Sequence, residues 1–73
     1  GTLQYGSSGE AVTLMKERLH ELGYMFTTVN GTFDDGTMQA VKDFQLLNGF
    51  STSGIATQEV LDAMYNSNAT PRT

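Results

Sequence analysis

A chain of 73 residues with net charge −4, four Lys/Arg against eight Asp/Glu, makes one domain without a basic stripe, which argues against DNA, RNA and anionic lipid as partners. It has no cysteine, so neither a disulfide nor a thiolate metal site is available, and no run nears the ~18 apolar residues of a membrane span. A thin core must then be held by helix packing and capping.

The pattern predicts an all-α, compact three-helix bundle. Val12, Met15, Leu19 and Leu22 recur at helical spacing and predict a first helix over 10–22. Gly9 is its expected N-cap, and Glu10 stands in the first turn, where the helix dipole favours an acid. Gly23 reads as the residue just past the end, with Tyr24 folding back as the apolar contact of a Schellman cap. A second helix is expected over 35–48, capped by Asp34, with Thr37, Ala40, Val41, Phe44 and Leu47 or Asn48 facing inward. Gly49 ends it and Phe50 comes next, as Tyr24 does after Gly23. A third is expected over 58–65, capped by Thr57, with Val60, Leu61 and Met64 inward. The domain therefore spans 1–65. Residues 66–73 lack apolar periodicity and read as a linker or tail.

The chain repeats itself weakly. Each of the first two helices ends on a Gly-aromatic pair, followed by one of two Gly-rich connecting loops. A second glycine then appears, in Asn30-Gly31-Thr32-Phe33 and in Ser53-Gly54-Ile55-Ala56, just before the next capping residue. Two copies are too few for a solenoid and imply internal pseudo-symmetry. Gly31 and Gly54 are expected at positive φ in tight turns, with Phe33 and Ile55 plugging the gaps between helices.

Catalytic constellations are lacking. His20 opens a string that starts like the zinc-protease HExxH, but Tyr24 stands where the second histidine belongs and Gly23 breaks the helix, so His20 reads as a solvated surface residue. No serine or threonine has a triad context, and adjacent Asp34 and Asp35 are accounted for as a cap and a first-turn acid rather than as a cleft pair. The loop 30–35 fails as a calcium loop in either register, because its ligand positions fall on Gly, Phe, Thr and Lys. Gly6-Ser7-Ser8-Gly9 lacks the Lys-Ser/Thr of a phosphate loop, and the two Asn-X-Thr triplets carry no weight alone. No catalytic residue, metal or cofactor is expected.

Recognition remains. Polar loops with interspersed aromatics on a rigid helical frame suit sugar and peptide binding. Phe33, Phe44 and Phe50 are expected mostly buried, and Tyr24 and Phe26 partly exposed. The ordered set Leu3-Gln4-Tyr5-Gly6-Ser7-Ser8-Gly9-Glu10-Ala11-Val12, Leu19-His20-Glu21-Leu22-Gly23-Tyr24, Asn30-Gly31-Thr32-Phe33, Thr37, Ala40-Val41-Lys42-Asp43-Phe44-Gln45, Asn48-Gly49-Phe50 and Ser53-Gly54-Ile55 resembles the bacterial peptidoglycan-binding-like domain. That is the three-helix module attached to many cell-wall amidases, carboxypeptidases and spore-cortex lytic enzymes. This chain departs from the family pattern at Asn30 and Ser53, where the family carries aspartate before glycine, at Asp34 and Thr57, where it carries glycine, and at Lys16, where it carries glutamine.

The resemblance implies non-catalytic binding of peptidoglycan, through glycan or stem peptide, that targets an attached hydrolase in the wall outside the cell. No signal segment is seen at Gly1-Thr2, so the chain reads as an excised piece of a longer protein. If the ligand lies against the loop after the first helix and the two ends of the second, Tyr24, Asn30, Asp34, Asp35 and Asn48 are the expected contacts, while Gln45 is expected to satisfy loop backbone. An interaction or autoinhibitory domain packed on a neighbouring catalytic domain is the alternative, and a stand-alone wall hydrolase a third reading.

Overall fold

In the computed structural model, which describes residues 1–72, the helical periods become α1 (Glu10–Glu21), α2 (Asp35–Leu47) and α3 (Gln58–Tyr65). Thr73, the last residue of the expected tail, lies outside the described residues. Helix α1 packs against both α2 and α3. The stripe Val12, Met15 and Leu19 meets Ala40, Val41 and Phe44 of α2 and Val60, Leu61 and Met64 of α3, and all nine are buried. Phe44 sits at the centre, its ring edge-on to Tyr24 (5.6 Å between centroids) and roughly parallel to Phe50 (6.5 Å). Of the two alternatives for the end of the inward face of α2, Asn48 is half-buried and Leu47 exposed.

The helix ends obey their capping residues. Asp34 accepts from the Thr37 amide, and Thr57 Oγ1 from the Val60 amide. Beyond α1 the amides of Gly23 and Tyr24 donate to the carbonyls of His20 and Leu19 at 3.1 and 2.8 Å, a Schellman cap with Gly23 at φ 86°. Phe50 repeats the long bond to Gln45 at 2.8 Å, past Gly49 at φ 81°.

The loops are bound by the N-terminal segment. Leu3 exchanges both backbone hydrogen bonds with Ala56 (2.9 and 2.8 Å), the Gly6 amide donates to Phe33 O, and the Phe33 amide donates to Ser7 O. These contacts form two isolated antiparallel bridges, Leu3 with Ala56 and Ser8 with Thr32, without any strand among the described residues. One extended segment thus ties together both copies of the repeat.

The repeat extends to the side chains that hold its loops. From α1, Lys16 Nζ donates to Asn30 Oδ1 and Thr32 O, both at 2.8 Å, while the Thr32 amide donates to Asn30 Oδ1. From α2, Gln45 Nε2 donates to Ser53 Oγ and Ile55 O at 3.1 and 3.0 Å, while the Ile55 amide donates to Ser53 Oγ. Ser53 stands where Asn30 stands, and Ile55 where Thr32 does. In each copy a long polar side chain, buried to 1% exposure, fixes the loop from beneath.

Three expectations are corrected. Gly31 has no positive φ; it is small because a Cβ there would lie 3.2 Å from Gly9 O and from Thr13 Oγ1, whereas Gly54 does carry φ 77°. Ile55 is only half-buried, and Ala56 fills the second gap as Phe33 fills the first, because the residue just before each cap points inward. Tyr24, expected partly exposed, is buried against Phe44, while Phe26 stands 74% exposed.

Candidate functional site

The five residues expected to contact a ligand fall into two groups and a remainder. Asn30 and Asp34 flank Lys16, whose ammonium lies 2.8 Å from Asn30 Oδ1 and 3.9 Å from Asp34 Oδ2. The first loop therefore carries a fully spanned cation beneath an exposed polar rim. Asp35 stands exposed in the first turn of α2, where the helix dipole accommodates it. Tyr24 and Asn48 meet at the far end of α2, with 3.3 Å between Asn48 Nδ2 and the phenol oxygen.

Asp34 is held ionised. Its carboxylate accepts from the Thr37 hydroxyl at 2.7 Å and the Thr37 amide at 3.0 Å, and these bonds, with Lys16 a smaller contributor, lower its pKa from the usual carboxylate value. The fold prefers the charged form, so this stabilisation is complete above the ordinary value of ~3.9 and fades as pH falls through the depressed one. Thermal unfolding followed between pH 6 and 2 should show a smaller acid loss for Asp34→Ser, which caps without ionising, than for the wild-type chain. Parallel pH curves for the two would rule the contribution out.

At the other end, the Tyr24–Asn48 pair holds a backbone. Asn48 Oδ1 accepts from the Thr70 amide at 2.9 Å, and its Nδ2 donates to Thr70 O at 3.2 Å and to Phe44 O at 3.0 Å. The Tyr24 hydroxyl donates to the same Thr70 oxygen at 2.6 Å. Burial raises the phenol's pKa above its ordinary value, opposed by the Asn48 hydrogen bond, so the hydroxyl remains a donor near neutral pH. Two residues on, the Arg72 amide donates to Leu22 O at 2.9 Å, and its guanidinium lies 3.7 Å from Asp43. The segment read as linker or tail thus lies back across the end of α2, with Ala69 packed against the core.

A third feature is an open apolar groove between α1 and α3, lined by Leu3, Leu14, Leu61 and Tyr65 and rimmed by Glu17 and Arg18. Leu14 and Tyr65 are each about half exposed there. His20 is exposed as expected, and among the described residues no group of three His, Cys, Asp or Glu side chains could hold a metal ion. Among the same residues no helix is long and apolar enough to cross a membrane.

Sequence reasoning missed Lys16, Thr70, Asp43 and Arg72. Lys16 did carry a signal, since it lies four residues after Val12 and three before Leu19, on the buried stripe itself. The contacts of Thr70 with Asn48 and Tyr24, and of Arg72 with Leu22 and Asp43, span 22 residues or more, and no local pattern marks them.

The family described as "Putative peptidoglycan binding domain" matches residues 8–64. A spore cortex-lytic enzyme of Oceanobacillus iheyensis is 34% identical over 62 residues, which is 85% of this chain and 22% of that protein. Among solved structures, the SleB N-terminal domain aligns with TM-score 0.85 and 31% identity over 88% of both chains. A fused Zn-dependent amidase/peptidase/peptidoglycan-binding-domain protein of Clostridium acetobutylicum aligns with TM-score 0.87 and 27% identity, over 97% of this chain and 33% of that one. The chain therefore spans about a fifth of the cortex-lytic enzyme and a third of the amidase.

Proposed function

The chain belongs to the peptidoglycan-binding domain family, and from that premise we propose that it binds bacterial peptidoglycan without cleaving it and tethers an attached wall hydrolase to its substrate outside the cell. The observation that carries the reading is the doubled loop anchor. Lys16 and Gln45, both buried, hold two polar loops in place before any ligand arrives, so little ordering entropy is lost on binding. Tyr24, Asn30, Asp34, Asp35 and Asn48 are the proposed contacts. They supply amide, phenol and carboxylate groups for the hydroxyls and amides of the wall polymer.

Pelleting with insoluble sacculi tests this. The folded chain is expected in the pellet, and exchanging exposed Asp35 for alanine should lower the retained fraction severalfold without changing the helical circular dichroism. A chain that stays wholly in the supernatant with its helices intact would sink the proposal. The apolar α1–α3 groove favours a second reading, in which the module also packs on its neighbouring domain. Leu14→Glu separates the two, since it should leave sacculus retention unchanged.

A further inference from the structure

We propose that Tyr24, Asn48 and Asp43 form a clamp for peptide main chain, that it takes the peptide stem of the wall polymer, and that the chain's own segment 70–72 occupies it in competition. This deepens the reading above and rests on it.

The clamp recognises backbone rather than side chain. Asn48 commits both ends of its carboxamide to one residue, accepting from the Thr70 amide and donating to the Thr70 carbonyl, and Tyr24 gives that carbonyl a second donor. The Thr70 side chain is exposed and takes no part. An N–H and a C=O that flank the same Cα point the same way only in an extended residue, the arrangement by which paired antiparallel residues exchange both bonds. The acetamido group of an amino sugar holds its N–H and C=O within one trans amide, pointing in opposite directions, so one carboxamide cannot take both. That geometry selects peptide over glycan.

The remaining contacts set the requirements on the residues beyond the clamped one. Leu22 O accepts one further main-chain N–H two positions on, and the carboxylate of Asp43 faces a cation borne by that same position. A short extended peptide with a small residue, then a cationic side chain two positions later, satisfies every partner that Thr70 and Arg72 now satisfy. A stem peptide carrying a diamino residue supplies main-chain amides, a small residue and such a cation in that order. A resident competitor lowers the apparent affinity by the fraction of molecules in which the clamp stands open, so releasing the segment should tighten binding.

The probe is a synthetic stem tetrapeptide with lysine as its diamino residue, titrated into the full chain by calorimetry and by the NMR shifts of the Asn48 side-chain amide. Thr70→Pro with Arg72→Glu removes the donated amide and reverses the charge while leaving the helices intact. Binding to this variant should be tighter by on the order of tenfold. Asn48→Ala should abolish binding in both backgrounds, and Tyr24→Phe, which keeps the ring on Phe44, should weaken it severalfold. Equal affinity for wild-type and segment-released chains, or peptide binding that leaves the Asn48 amide unmoved, would overturn the clamp. Sacculus pelleting run beside it separates the two ideas. Retention on sacculi with no peptide response sinks the clamp and leaves wall binding standing, whereas a peptide response at Asn48 without retention supports the clamp and sinks the tether.

Discussion

Replacing Phe44 by alanine is expected to lower the melting temperature by about 12–40 °C, the largest effect of any single truncation in this chain. The ring has no exposure, and it packs against both aromatic closures of the repeat, Tyr24 after α1 and Phe50 after α2. Emptying such a site costs about 3–5 kcal/mol. The whole stability of a chain this size is about 4–11 kcal/mol at 0.05–0.15 kcal/mol per residue, so about a quarter or more is lost. The damage extends to the candidate site, because Phe44 backs the Tyr24 ring and its own carbonyl receives Asn48 Nδ2. Leu46→Ala, in the same helix but 67% exposed, is the control and should stay within about 0.5 kcal/mol of wild type. Thermal melts at 222 nm decide the matter: a shift of only a few degrees for Phe44→Ala would mean that the three aromatics do not form one packing unit.

The helices are legible in the sequence because their signals are local. A 3.6-residue stripe, a capping side chain and a Gly-aromatic stop all lie within one or two turns, and α1, α2 and α3 fall within a residue of the expected spans. The features that escape a sequence reading depend on distance or on the split nature of long side chains. By residue type Lys16 is one scattered charge, yet its apolar stem belongs to the Val12–Leu19 stripe while its ammonium reaches loop oxygens 14 and 16 residues ahead. Tyr24 is expected to fold back in a Schellman cap yet stay partly exposed. The fold closes its ring against Phe44, and the hydroxyl then needs the polar partner that Thr70 provides. Of the candidate site, residue types and neighbourhood are readable. Its division into a cation-centred loop and a backbone-holding pair is not, since only the fold brings Asn48 to Thr70.

Gln45→Leu should destabilise the chain by about 2–6 kcal/mol without leaving a cavity, and should cost more than Lys16→Met although the latter deletes a charge. Leucine nearly matches glutamine in size, so the loss is polar. The Gly54 amide, which donates to Gln45 Oε1 at 2.9 Å within the buried interior, and the Ile55 carbonyl are left without partners, each at about 1–3 kcal/mol. Gly54 is itself buried, at φ 77°, with the side chains of Met38 and Lys42 beside it. The partners of Lys16 differ in kind: Asn30 and Thr32 are exposed, so their oxygens can exchange the ammonium for solvent. The order of the two penalties therefore stems from the accessibility of the orphaned partners rather than from formal charge. Denaturant midpoints at equal m-value measure it, and amide exchange locates it, with Gly54 losing protection in Gln45→Leu while the Gly23 and Tyr24 cap amides keep theirs. A larger penalty for Lys16→Met would show that the first loop depends on its buried cation in a way that water cannot replace.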